Sequence, residues 1–220
     1  MKKISIINFS LLLPLIMADI LFIISRSLIA KSIASMIFVV IGFINLLHLL
    51  KVENKKSLSA YLLFLGLCFA CLGDIVLEIN FVIGAGLFAV GHVFYFFSYT
   101  QITKTSWKDF IYASAIFVPS LLVILLVPIF DFGGVFMQVV CCAYALIISL
   151  MLGKAISNYT QNRSILNLVI MLGSILFYFS DFMLLFNVFS NIKTSIFIVL
   201  CLTTYYPAEF LLAYSITKQK

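Results

Sequence analysis

Eight apolar stretches of about 20 residues each, joined by short polar connections, constrain this chain more than any other feature. They fall at roughly 4–24, 30–50, 59–79, 81–102, 109–129, 133–152, 164–187 and 194–215. Hydrocarbon offers no partner for a backbone N–H or C=O, so a segment inside it must bond to itself as a helix or close into a barrel. The ten-residue alternating strands of a barrel are absent from the sequence. The expected fold is all-α: a polytopic membrane bundle of eight transmembrane helices, one integral membrane domain over 1–220. With 64% hydrophobic residues, 10% charged residues and a mean hydropathy of +1.22, neither a soluble domain nor a disordered chain fits. The longest polar stretches, Lys51 to Ser59 and Gly153 to Arg163, are read as connections too short to form a domain. Any chemistry must then lie inside the bundle or at its rim.

A net charge of +6 invites a nucleic-acid reading, but the positions of the charges speak against it. Lys2, Lys3, Lys51, Lys55, Lys56, Lys104, Lys108, Lys154, Arg163, Lys218 and Lys220 fall at the termini and the even-numbered connections. They are 11 of the 14 basic residues. Arg26, Lys31 and Lys193 fall on the other side. The positive-inside rule then puts both termini in the cytoplasm of an integral protein of the cell (inner) membrane. The basic start followed by an apolar run imitates a signal peptide. Because the run continues to Ile24 without a small-residue cleavage site, it is read as an uncleaved first span. Cys68, Cys71, Cys141, Cys142 and Cys201 all fall within spans and are read as apolar packing residues.

Two aspartates interrupt the apolar pattern. Asp74 and Asp181 each sit in the frame Gly-x7-Asp-x2-Leu-x2-Asn: Gly66, Asp74, Leu77, Asn80 and Gly173, Asp181, Leu184, Asn187, all separated by 107 residues. Ionisable groups inside a membrane are costly and point to function. The offset maps spans one to four onto five to eight. Since four is even, the halves, about 1–107 and 108–220, would form a parallel 4+4 repeat with an axis along the membrane normal. It also places Lys31 over Gln138. Asp74 and Asp181 become symmetry mates on spans three and seven, five or six residues from the external helix ends, where they could face each other in the outer leaflet.

Other polar residues gather on spans two, four and eight. Gly84 and Gly91 on span four, with Gly66, Ala70 and Gly73 on span three, predict a close hairpin. His92 and Tyr95 share a face near mid-membrane, whereas His48 belongs at the cytoplasmic boundary. Span eight offers Thr203, Thr204, Tyr205, Tyr206 and Glu209 around Pro207, which is expected to kink the helix and free carbonyls near Thr203, lining a cavity. Lys31 would either snorkel outward or bind a phosphate, and Asp19 and Glu78 are rim residues or its partners. Arg26 reads as a surface anchor. Two histidines at different depths do not make a bis-histidine haem site, and a single well-placed histidine is short of a zinc hydrolase's ligands. No metal and no other cofactor is expected.

Several segments together carry a resemblance to a known family: Ala30-Lys31, Leu72-Gly73-Asp74-Ile75-Val76-Leu77, Gly91-His92-Val93-Phe94-Tyr95, Phe179-Ser180-Asp181 and Thr203-Thr204-Tyr205-Tyr206-Pro207-Ala208-Glu209. In this order on eight spans they resemble the YhhN family of membrane proteins, whose characterised members include lysoplasmalogenases. Glu209 stands where that family typically has glutamine. The resemblance implies hydrolysis of the vinyl ether bond of an alkenyl lysophospholipid to a fatty aldehyde and a glycerophospho-alcohol. Asp74 and Asp181 would be catalytic acid and base; His92, Tyr95, Tyr205, Tyr206 and Glu209 would support them, and Lys31 would hold the phosphate. The expected partners are the lysophospholipid substrate and membrane lipids.

Two other readings compete on the residues. A small-molecule or lipid transporter would also show repeats and intramembrane polar groups, although tight loops leave little room for alternating access. An intramembrane aspartyl protease would place its two aspartates in Tyr-Asp and Gly-x-Gly-Asp contexts, and here they are Gly-Asp and Ser-Asp.

Overall fold

The computed structural model describes residues 2–54 and 56–219. Lys55 and Lys220, two of the basic residues in the charge pattern, and the side chain of Lys2 lie outside the described residues. Among the described residues eight α-helices follow one another: α1 (Lys2–Ser25), α2 (Leu28–Leu47), α3 (Leu58–Leu77), α4 (Phe81–Thr100), α5 (Trp107–Leu126), α6 (Val135–Gln161), α7 (Ile165–Phe189) and α8 (Ile196–Ser215). All eight are long and apolar enough to cross a membrane. A five-residue π-helical turn, His48–Val52, extends α2.

Local signals fix the helix starts. Ser57 accepts the Ala60 N–H, Asn80 the Ile83 N–H and Ser164 the Asn167 N–H, each supplying one of the acceptors that a first turn lacks. Asp109 does the reciprocal work at α5, accepting the Ser106 N–H at 2.9 Å. Pro207 lies inside α8, which runs unbroken through it. Thr203 and Thr204 bond back to Val199 and Leu200 carbonyls one turn earlier, so they spend their hydroxyls on their own helix. Thr203 faces outward, Tyr206 and Glu209 are buried in the packing, and of the row expected to line a cavity Tyr205 does so.

One connection predicted from polarity is instead helix. Most of the stretch Gly153 to Arg163 is the end of α6, which reaches Gln161. Lys154, Ser157 and Asn158 point inward there, while Thr160 and Gln161 stay exposed. Lys154, expected to mark the cytoplasmic surface, is fully buried; it donates to Asp109 at 3.0 Å and to the Lys104 carbonyl at 3.1 Å. Asn158 donates to the Tyr99 carbonyl at 2.8 Å. These bonds tie α6 to α4, α5 and the loop between them. A comparable clasp joins α1, α2 and α8 at the same end, where Asn8 and Asn45 exchange amide hydrogen bonds and Asn45 also donates to the Ala213 carbonyl.

The helix contacts trace a ring, α2–α3–α4–α6–α7–α8, that closes where α8 meets α2. α1 lies outside it against α2 and α8, and α5 lies outside against α6. Exchanging 1–107 with 108–220 would carry each ring contact onto another. In a membrane, helices associate through close packing rather than through hydrophobicity. The α3–α4 hairpin does so through glycine: a Cβ on Gly84 would sit 2.5 Å from the Leu77 backbone, and one on Gly91 3.2 Å from the Gly66 carbonyl. Gly153 meets the Ala113 backbone in the same way between α6 and α5. At the centre Phe177 meets Phe88, His92, Tyr95 and Tyr205 edge to face, a plug of rings beneath the far end of the bundle.

Candidate active site

Above this plug, toward the end of the bundle away from the termini, a cavity of about 490 Å³ opens between the helices. Its walls carry Asp74 from α3 and Asp181 from α7, together with Arg26, Lys31, Glu78 and Tyr205. Among the described residues α3 packs on α2, α4 and α8, while α7 packs on α6 and α8. The two helices stand across the ring from each other rather than side by side, and the carboxyls reach a shared space from opposite walls.

Their depths differ from the expectation of equal offsets. α3 ends three residues after Asp74, about 5 Å along the axis, whereas α7 continues eight residues past Asp181, about 12 Å. The cause is local. Asn80 ends the first copy of the frame by capping α4, but Asn187, its counterpart, stays inside α7 and lines the cavity.

Each aspartate is held by hydroxyl donors. Ser35 donates to Asp74 Oδ2 at 2.6 Å and Tyr205 to the same oxygen at 2.8 Å, while Lys31 Nζ stands 3.9 Å from Oδ1. Tyr144 donates to Asp181 Oδ2 at 2.6 Å, and His92 Nε2 lies 3.3 Å from that oxygen and 2.9 Å from the Tyr144 hydroxyl. A buried carboxylate is tolerable only when such bonds offset its lost hydration. The two settings are not copies of each other: one holds a lysine and a serine, the other a histidine.

Lys31 neither snorkels nor stands free. It is buried, its ammonium 2.7 Å from Glu78 Oε1 and 5.4 Å from the centre of the Phe22 ring. Glu78 is thus its partner, one of the roles open to it from sequence. Asp19 is also buried, and its Oδ1 has no hydrogen bond among the described residues. Arg26, in the two-residue turn between α1 and α2, is exposed at the cavity wall with φ of 53°.

The other sequence candidates form an inner layer. Tyr95 turns from the aspartates and donates to Glu209 Oε2 at 2.8 Å. Glu209 is wholly buried, with no cation within ion-pair distance among the described residues. Tyr206 packs its ring on Tyr205 and Phe38. Tyr99, one turn beyond Tyr95, is paired with Ser174 at 3.0 Å.

Two residues in contact with the carboxylates were missed. Ser35 had a signal, since it follows Lys31 by four residues and so shares its face. Tyr144 had none: one tyrosine in an apolar span looks the same whether it packs or donates. Among the described residues no three of His, Cys, Asp and Glu gather as metal ligands, and the five cysteines are unpaired.

No curated protein and no solved structure matches the chain. The model of the YhhN family matches residues 30–216, a span holding both aspartates and every residue that bonds to them. On that match over most of its length, this membrane-spanning chain belongs to the YhhN family.

Proposed function

We propose that the protein is a lysoplasmalogenase-like hydrolase that opens the vinyl ether of an alkenyl lysophospholipid with Asp74 and Asp181. The observation that carries this reading is the shared cavity: two carboxyls on opposite walls of one space, each held by hydroxyl donors. Membership of the YhhN family supports the reaction class.

A vinyl ether resists base and yields to acid. One carboxylic acid gives its proton to the alkenyl carbon distal to oxygen, and the π pair forms the new C–H bond. The oxocarbenium ion left behind is stabilised by the two carboxylates. Water then bonds to the carbon next to oxygen as the second carboxylate takes its proton. In the hemiacetal, the hydroxyl proton returns to the first aspartate and the C–O bond breaks. The departing alkoxide takes the proton from the second. Aldehyde and alcohol leave, and both groups regain their starting states.

Such a cycle needs one protonated and one ionised carboxyl in the same site, the division that two like charges sharing one site favour. Tyr144, His92, Ser35 and Tyr205 fix the orientations. Lys31, already engaged by Glu78, adds positive charge near Asp74 and attracts a phosphate to the same wall; Arg26 is the exposed cation there. The side with both termini is the cytoplasmic one in this reading, so the cavity faces the outer leaflet.

The test is direct. Purified protein is offered an alkenyl lysophospholipid beside its acyl counterpart, and fatty aldehyde is measured. Aldehyde from the alkenyl lipid alone is expected; fatty acid from the acyl lipid alone would move the protein to another hydrolase class. Lipid flux across liposomes without any product would favour a translocator.

A further inference from the structure

The space around the aspartates does not end at Asp181. A second cavity of about 90 Å³ begins beyond it, between α4, α5, α6 and α7. The two share Leu77, Phe81, Phe88, Asp181 and Leu184 as walls, so they adjoin along one seam with Asp181 on it. Leu77 and Leu184 are the leucines of the repeated frame.

Wall chemistry changes across the seam. On one side stand Arg26, Lys31, Glu78 and Asn187. On the other stand Ala85, Ile124, Cys141, Ala145, Ile148 and Leu185. The hydroxyls on this second side are turned toward other protein groups: Ser120 and Tyr178 lie 2.7 Å apart, and Tyr144 donates to Asp181 at 2.6 Å. What faces the space is carbon. Packed interiors keep few voids larger than a water, and a dry void needs apolar walls such as these.

We infer that this apolar groove holds the hydrocarbon chain of a single-chain glycerophospholipid, with the headgroup in the polar cavity and the bond between them against Asp181. The inference rests on the hydrolase reading above, and continuity with that site selects the occupant. A polar chamber with cations, an apolar slot and a carboxyl at their boundary together match an amphiphile read from head to tail. A chain coming from the bilayer gains little from apolar walls, so the groove sets register more than affinity. In that register the alkenyl carbon distal to oxygen, which belongs to the chain, lies on the groove side. Asp181 is then the proton donor, and Asp74, on the polar side, orients water.

The test uses the unmodified protein in lipid nanodiscs and a lysophospholipid analogue with a saturated ether link and a diazirine near the chain end. Crosslinks are mapped by peptide mass spectrometry. They are expected on Ile124, Cys141, Ala145 and Ile148, and should fall about tenfold when excess unlabelled alkyl lysolipid competes. Crosslinks that resist competition, or that collect on the lipid-facing surface of α1 and α2 around Ile29, Ile33 and Val40, overturn the groove. A second arm uses Ala145→Phe, expected to lower turnover of long chains about tenfold relative to short ones; an unchanged chain-length profile counts against it. Aldehyde release with crosslinks elsewhere removes the groove and spares the hydrolase reading. Competed groove crosslinks without aldehyde from any alkenyl lipid leave a chain-binding groove and remove the hydrolase reading.

Discussion

Replacing Tyr144 with phenylalanine removes one oxygen from the centre of the Asp181 cluster and leaves its shape alone. That oxygen donates to Asp181 at 2.6 Å and lies 2.9 Å from His92 Nε2, so a single deletion loosens both neighbours. A hydrogen bond to a charged group is worth about 1.5–3 kcal/mol. If that stabilisation is realised as charge shifts on Asp181 in the transition state, the rate falls about 10- to 150-fold, at one decade per roughly 1.36 kcal/mol. Asp181→Asn should abolish turnover, so Tyr144→Phe is expected to fall between wild type and that variant. The assay is aldehyde release from an alkenyl lysophospholipid across substrate concentrations, with thermal unfolding in detergent as the control for folding. The loss should appear in kcat with KM little changed, since Tyr144 touches the carboxyl and not the headgroup chamber. A fall of less than about threefold in kcat, with the protein folded, would refute the argument that this hydroxyl positions Asp181.

Two further predictions concern stability. Lys154→Met strands Asp109 without its cation in a buried setting and should cost about 3–5 kcal/mol, read as a lower unfolding temperature; adding Asp109→Leu should recover part of the loss. Gly84→Ala forces a methyl to 2.5 Å from the Leu77 backbone and should destabilise by about 1–3 kcal/mol. Gly86→Ala, in the same helix with nothing within 4 Å of the new Cβ, should be neutral or stabilising by up to about 1 kcal/mol. Equal effects at the two glycines would count against close α3–α4 packing.

Much of the fold was legible because the membrane imposes one rule on every segment. Eight apolar runs became eight helices, and glycine spacing on spans three and four marked a close hairpin. The rule is blind to polar residues that are satisfied inside. Lys154 and Asn158 read as surface, yet they are buried because Asp109 and the Tyr99 carbonyl receive them from other helices. Pairings of this kind join positions about 50 residues apart, and no local pattern announces them. The site divides the same way. Asp74, Asp181 and Lys31 stood out as charges in hydrocarbon, whereas Tyr144 looked like any packing tyrosine and Ser35 like any small residue. The recurring Gly-x7-Asp-x2-Leu-x2-Asn frame likewise marked both aspartates but overstated their likeness, since Ser35 and Tyr205 attend one while Tyr144 and His92 attend the other.

The central claim is that Asp74 and Asp181 act together on a vinyl ether, and one measurement tests it most directly. Wild type, Asp74→Asn and Asp181→Asn are reconstituted at equal amounts and offered an alkenyl lysophospholipid, with aldehyde followed over time and folding checked by thermal unfolding. The account predicts aldehyde from wild type and none above background from either folded variant. Turnover near the wild-type rate by either one would contradict it.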